Sequence, residues 1–265
     1  MKTKQIVDLA IKRHDLDAAH FQNTYLKKDN ANLSTRENVF LKGRALVLDE
    51  LTMLLNKLPK GSKVLDVGCG TAHLTKWIKD QGFEVYGIEP SLEMFNYAVA
   101  NFPDIEIKQG ISSEIPYPDQ SFDLIVAFEV LRYLDKTENN NSYKEFNRVL
   151  KPNGSFFVTH VNKYSTDLYY VFHNLKSVYS KIRNLTHHYC NFTTSGEQEK
   201  VIKSYGFREV RTIGRFMGTN RIAFKLGNGF GNLYYSLMTK IFGNQRFEQS
   251  FYKNATAHLI VIAKK

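Results

Sequence analysis

Apolar and polar positions along this chain change period several times, and each change marks an element. In "ENVFLKGRALVLDELTMLLNKLP" (37–59), Leu41, Ala45, Leu48, Leu51 and Leu55 fall at helical spacing, and Pro59 and Gly61 end the helix. "KVLDV" reads as a buried strand that runs into glycines, and a helix then extends to about Gln81. "FEVYGIEP" is a strand closed by Pro90, and Ser91 is placed to cap the helix "LEMFNYAVANF". "IEIKQG" alternates as a short strand. "FDLIVAFEV" is a continuous apolar run, the signature of a strand buried on both faces. A helix around residues 142–150 stops at the turn signal "KPNG", and "SFFVTHV" is another buried strand.

Strands alternating with helices over short links predict an α/β fold: a doubly wound, mostly parallel, Rossmann-like sheet, expected to have seven strands. Beyond residue 162 the pattern changes. "DLYYVFHNLKSVYSKIRNL" and "FGNLYYSLMTKIF" are amphipathic, with Leu168, Phe172, Leu175, Tyr179 and Ile182 on one face of the first and Phe230, Leu233, Leu237 and Ile241 on one face of the second. They read as helical lid insertions around the last strands, "REVRTIGRF" and "AHLIVIAKK". The expected organisation is one structural domain in three parts: a helical cap (1–60), a ligand-binding core (61–162), and the C-terminal sheet with its lid (163–265).

Charge adds an asymmetry. The net charge of +10 is the sum of +4 over 1–60, −7 over 61–135 and +13 over 136–265. A strongly basic C-terminal half suggests an anionic partner, such as a phosphorylated substrate, a lipid head group or nucleic acid, although a solvated surface would look the same. The cysteines, Cys69 and Cys190, lie far apart and in no ligand spacing, so neither a disulfide framework nor a metal site is expected. The first residues, charged every few positions, do not read as a signal peptide, and no apolar run reaches 18 residues. These features predict a cytoplasmic location, with peripheral contact at the inner face of the membrane open.

The chemistry gathers at "KVLDVGCGTAHLT". A strand breaking into glycines ahead of a helix exposes backbone amides, and Gly68 and Gly70 let a ligand approach the chain. A nucleoside triphosphate loop requires a Lys after the glycines, and none follows. A dinucleotide loop requires a third Gly where His73 stands. S-adenosylmethionine carries no phosphate and presents a zwitterion, a sulfonium and a ribose. Asp66 is placed to face the ammonium end. Glu89, at the end of the next strand, can accept both ribose hydroxyls.

On these residues the chain resembles a class I S-adenosylmethionine-dependent methyltransferase of the "methyltransferase domain 11" type. The resemblance is carried by "VLDVGCGTAHLT", "VYGIEPSLEMFNYA", "QGISSEIPYPDQSFDLIVAFEVLRYL" and "EFNRVLKPNGSFFVTHVN". It implies that Asp66, Gly68, Cys69 and Gly70 line the methionine moiety and that Glu89 holds the ribose. It implies that Pro90, Ser91 and Met94 border the adenosine and that Ser112 and Ser113 flank the adenine. Ala127, Phe128 and Glu129 would floor the site, and Arg44 would reach the donor carboxylate. Two positions depart from the pattern: Ala72 stands where a third Gly is common, and Ile111 stands where an Asp usually meets the adenine amino group.

Methyl transfer from a sulfonium is an in-line displacement for which orientation supplies most of the catalysis, and a base is needed only if the nucleophile must lose a proton. Glu129, His160, His187 and His188 are the candidates. The aromatic helices favour a small-molecule or lipid-linked acceptor, methylated at oxygen or carbon in a biosynthetic pathway. The place of the N/D-P-P-Y/F element of base-amine methylation reads "AFEV", and neither cysteine sits in the context of a pyrimidine-methylating nucleophile. Both points argue against a specific nucleic-acid substrate. The alternatives are an RNA-directed methyltransferase and a catalytically idle protein of this fold that serves in binding or assembly.

Overall fold

The computed structural model describes residues 3–26, 33–185 and 187–265. Two helices lead in, α1 (Thr3–Leu26) and α2 (Thr35–Leu55). The core then alternates as β1 (Lys63–Val67), α3 (His73–Asp80), β2 (Glu84–Glu89), α4 (Leu92–Asn101), β3 (Glu106–Gln109), β4 (Phe122–Ala127), α5 (Lys136–Val149) and β5 (Leu150–Asn162). The rest runs α6 (Tyr169–Ile182), β6 (Phe192–Thr193), α7 (Ser195–Ser204), β7 (Arg208–Met217), α8 (Thr219–Lys225), α9 (Asn228–Ile241), β8 (Arg246–Phe247) and β9 (Thr256–Lys264).

All nine strands join one sheet in the order β3-β2-β1-β4-β5-β9-β7-β8, with β6 paired to β5. Seven are long. The two beyond the expected count, β6 and β8, are two residues each, too short to leave a periodic trace. Strands β1 to β5 pair in parallel, whereas β9 runs antiparallel to both β5 and β7. The order reverses between β1 and β4, so a crevice opens there at the carboxyl ends of the strands, where such sheets place ligands.

Alternation along the strands splits the core between the two faces of the sheet. Leu65, Ile125, Phe156, Val158 and Val261 pack with Tyr143 and Phe146 of α5 and Ile202 of α7. Val64, Leu124, Val126, Phe157 and Ile260 pack with Val47 and Leu51 of α2 and Ile78 of α3. Helix starts follow their caps: Ser34 and Thr194 form capping boxes with Glu37 and Glu197, and Ser91 accepts from the Met94 amide. Helix α2 is tied to the far sheet edge by a buried ion pair, Arg215 Nη1 to Glu50 Oε1 at 3.0 Å, and Arg246 shares the same carboxylate.

The amphipathic segments form helices as expected, but their apolar stripes face outward. On α6, Val171, Phe172, Leu175, Val178, Tyr179 and Ile182 are exposed, while Tyr169 and His173 turn inward and Ser180 is buried. On α9, Phe230, Leu233, Leu237 and Ile241 are exposed.

Candidate active site

The crevice at the strand ends is a cavity of about 910 Å³. Ligand pockets commonly run from about 300 to 1,000 Å³, so this one has room for a nucleoside-sized donor and an acceptor together. One half is made by the loops after β1, β2 and β3, and the other by side chains of α1, α2, the segment after β4, α6, α8 and β9.

In the first half the chain turns sharply after Val67. The amides of Gly68 and Cys69 both donate to the Ile88 carbonyl, at 2.8 and 3.0 Å, which fastens the loop to β2. Gly68 stands at φ +68, and a Cβ there would fall 2.5 Å from Val130 Cγ2. Only glycine fits without strain or displacement. Gly70 is also left-handed, at φ +57. Ala72, where the resemblance leads one to expect Gly, takes φ +59 without one. Its methyl is fully buried, and the cost lies in the backbone, roughly 1–2 kcal/mol for a left-handed non-glycine residue.

Two carboxylates flank the loop. Asp66 Oδ2 accepts from Thr75 Oγ1 at 2.7 Å, and Arg44 of α2 lies close enough to act on its charge. Glu89 Oε2 accepts from the Gly70 amide at 2.7 Å and Oε1 from the Ser91 amide at 2.8 Å, which aims the carboxylate across the loop. Burial raises both: the Asp66 carboxyl is pushed up to about 6 and Glu89 to about 7, the latter helped by Asp66 itself. A ligand carrying a cation and paired hydroxyls would relieve this strain. Burial also raises the Cys69 thiol, which fits against Gly87, where a Cβ would meet its Sγ at 2.9 Å.

Of the residues singled out in the sequence, Arg44, Asp66, Gly68, Cys69, Gly70, Glu89, Pro90, Met94, Ser112, Ser113, Phe128, Glu129 and His188 line the cavity. Arg44 lies over the Phe128 ring, 4.9 Å from its centroid. Ser91 and Ala127 are fully buried behind the wall. Ile111 is on the wall, beside Ser112, whose hydroxyl is 2.8 Å from that of Ser142. His160 is elsewhere. Its strand position turns the ring to the α5/α7 face, where Nε2 meets the Tyr143 hydroxyl at 2.9 Å, and burial pushes it down to about 4. His187 is off the wall, paired with His173 at 3.2 Å.

The second half contains residues the sequence did not single out. His258 of β9 lies on the wall, with Nδ1 3.4 Å from Glu129 Oε1. Gly43 of α2 makes room for its ring, since a Cβ there would meet Nε2 at 2.9 Å. Glu129, held at φ +63, is gripped by Arg132 Nη1 at 2.6 Å, and its own amide donates to Thr159 Oγ1 at 2.7 Å. Burial alone would raise its carboxyl, but the Arg132 charge and the His258 hydrogen bond outweigh that and hold it well below the usual carboxylate range. Helix α1 contributes Arg13 and His14 to the wall, the latter edge-on to Tyr133 at 4.7 Å, and Asp15 accepts from the Ser91 hydroxyl. Tyr169, His173, Cys190 and Arg221 complete this half. The one sequence signal for His258 was a polar residue at the start of the otherwise apolar run "LIVIA".

Comparison with known proteins agrees with this geometry. Residues 65–158 match the family model described as a methyltransferase domain. Over 164 residues the chain is 32% identical to a demethylmenaquinone methyltransferase of Chlorobaculum parvum, covering 56% of this chain and 66% of that protein, just under two thirds of its length. An S-adenosylmethionine-dependent methyltransferase from Thermotoga maritima shares the fold with a TM-score of 0.58 at 19% identity, over 87% of this chain and 94% of that one. A phosphoethanolamine N-methyltransferase of Haemonchus contortus, solved with S-adenosylhomocysteine, gives 0.55 at 16% identity, over 83% and 52%. Across the glycine loop, both carboxylates and the strands that carry them, residues 65–158 match the methyltransferase domain family, and the chain shares the fold of solved S-adenosylmethionine-dependent methyltransferases.

Proposed function

We propose that this protein transfers a methyl group from S-adenosylmethionine to a small-molecule or lipid-linked acceptor, in the cytoplasm or at the inner surface of the membrane. The observation that carries the reading is one cavity that joins two buried carboxylates on a bare glycine loop to a chamber lined with aromatic, histidine and arginine side chains. The similarity to a demethylmenaquinone methyltransferase supports an acceptor that is a lipid-soluble quinol precursor.

The residues present fit the donor. Glu89, with each oxygen already holding one backbone amide, retains lone pairs for a ribose diol. Asp66 and Arg44 are spaced along the same wall for the ammonium and carboxylate of an amino acid. The donor supplies an electrophilic methyl on a sulfonium. The chain's part is to hold the acceptor in line with it and to exclude water, which α1 and α6 do by lining the cavity. Where the acceptor atom is a hydroxyl, we assign His258 as the proton-accepting group, oriented by the ionised Glu129 beside it. His188, also on the wall, is a second candidate for this role, whereas His160 serves the core.

Calorimetry with S-adenosylhomocysteine tests the donor site, and transfer of radiolabelled methyl to demethylated quinols tests the acceptor class. Absence of binding at high micromolar concentration would remove the enzyme reading. Binding without transfer to any quinol would remove only the proposed acceptor.

A further inference from the structure

We infer that the outward faces of α6 and α9 dock this protein onto an anionic lipid bilayer, with the acceptor half of the cavity directly beneath the docked roof. A helix on a globular protein normally turns its apolar stripe inward. Here α6 does the reverse. Phe172, Leu175 and Ile182 are 58%, 62% and 74% exposed, while the tyrosine and histidine on its other side line the cavity. Helix α9 likewise exposes its apolar stripe, with Leu233 at 71%, although its own residues do not line the cavity. Large apolar side chains clustered on solvent faces mark a surface that something covers.

Charge identifies the cover. No Asp or Glu occurs between residues 168 and 196 or between 210 and 247. Lys176, Lys181, Arg183, Lys225 and Lys240 are all exposed within these stretches. Apolar stripes flanked only by cations suit an interface that is apolar within and anionic at its surface. A second copy of this chain fits less well, because a two-fold contact would set these cations against one another.

The two helices belong to one roof. Val161 of β5 and Arg215 of β7 both pair with His258 of β9, so the two excursions leave the same end of the sheet, two strand spacings or about 10 Å apart. Their roots are locked. Thr166 and Gly218 both donate to the Ala255 carbonyl at 3.2 Å, and Arg221 Nη1 is 3.0 Å from Asp167 Oδ2. A Cβ on Gly218 would fall 2.4 Å from Ser165 Oγ and 2.7 and 2.8 Å from the Asp167 and Thr166 amide nitrogens, so the two loops pack closely at their backbones. Tyr169, His173 and Arg221, on the underside of this joint, face the cavity. The docking surface shares only its purpose with the methyl-transfer reading, since binding to vesicles requires neither donor nor acceptor.

The test is co-sedimentation of the full chain with phosphatidylcholine vesicles, with and without phosphatidylglycerol. Partitioning should be roughly tenfold or more stronger on the anionic vesicles and should weaken in high salt. The variants Leu175→Glu and Leu237→Glu should each reduce it by roughly tenfold, the worth of one lost apolar insertion, with unchanged affinity for S-adenosylhomocysteine. Equal partitioning onto neutral and anionic vesicles, or full binding by a variant carrying both Leu175→Glu and Leu237→Glu, would overturn the inference. So would a native dimer that the variants convert to monomer, because the stripes would then be covered by a second copy.

Discussion

The two halves of the cavity are built by different means. In the donor half the contacts are made by main chain and short loops: Gly68 and Cys69 hang from Ile88, and Glu89 is pinned by the Gly70 and Ser91 amides. These groups come from adjacent parallel strands whose register fixes them, Asp66 opposite Gly87 and Val67 opposite Ile88. In the acceptor half the groups are side chains on elements far apart in sequence, held by pairs such as Glu129 with Arg132 and Asp167 with Arg221. The donor half is therefore as rigid as the sheet, whereas the acceptor half can be rebuilt by changing side chains without disturbing a strand. That division suits an enzyme whose donor is constant and whose acceptor sets its identity.

The sharpest way to break this comparison is to cut one contact on each side. Glu89→Ala removes the proposed ribose acceptor and the partner of two loop amides at once. Affinity for S-adenosylhomocysteine should fall by roughly 100-fold, as for the loss of a charged hydrogen-bonding partner. His258→Asn should leave that affinity within about threefold, because the residue touches Glu129 and not the loop. Calorimetry on both variants decides it. Equal losses would mean that the halves are one coupled unit.

Acidity separates the halves next. Burial holds the Glu89 carboxyl up at about 7 and Asp66 at about 6, so in the ligand-free protein both become neutral as pH falls through that window. In the proposed function the donor meets both as anions. Between pH 8 and 5.5 its affinity should weaken by roughly 30- to 100-fold, with the loss beginning near pH 7. The ligand-free fold responds in the opposite sense. Because these folded values lie above the unfolded ones, the pair favours folding at low pH, and that contribution is lost as pH rises through 6 and 7. In the acceptor half, His173 is pushed down to about 4 by burial and by His187, and it stays neutral over the same range. Titration calorimetry across pH measures the first effect, and ligand-free unfolding across pH the second. An affinity flat with pH would show that the carboxylates do not hold the donor.

The same division explains what the sequence made legible. The donor half rests on short-range signals, since the glycines, the strand-end acid and the N-cap serine each stand within a few residues of the end of a strand. Helices α6 and α9 were legible as stripes but not as outward-facing ones. Periodicity says which residues share a face, and only tertiary packing says where the face points. His160 misled for a related reason. At the end of an apolar run its parity was uncertain, and pairing with Leu259 turns it away from the cavity, whereas His258, one register step off, faces it. Helix α1 is charged every few positions, yet Val7, Ala10 and Ile11 reach the cavity between those charges. Strands β6 and β8, at two residues, fall below any period.

A smaller effect is expected from Gly68→Ala. The left-handed backbone and the overlap with Val130 together should lower stability by about 2 kcal/mol in denaturant melts. Adding Val130→Ala should relieve the overlap and leave the backbone strain. A single variant as stable as the native protein would mean that the loop can relax, and the rigidity claimed for the donor half would fail.

The smallest expected effect concerns Cys69, the one reactive side chain in that loop. If the loop works through its backbone, the thiol is only a filler, and its Sγ occupies the space that Gly87 leaves open. Cys69→Ala should then remove little more than one atom of packing, about 1 kcal/mol, and shift donor affinity by less than about threefold. Burial raises its thiol above the ordinary range, so at pH 8 it should be far less reactive than a thiolate. Cys190 is also raised by burial, but it is less enclosed and lies on the acceptor wall, which makes it an internal standard. A thiol reagent should modify the native protein and Cys69→Ala at the same fast rate, with the slower second equivalent missing from the variant. A fast equivalent lost with Cys69, or a tenfold loss of donor affinity, would mean that the side chain and not only the main chain meets the donor.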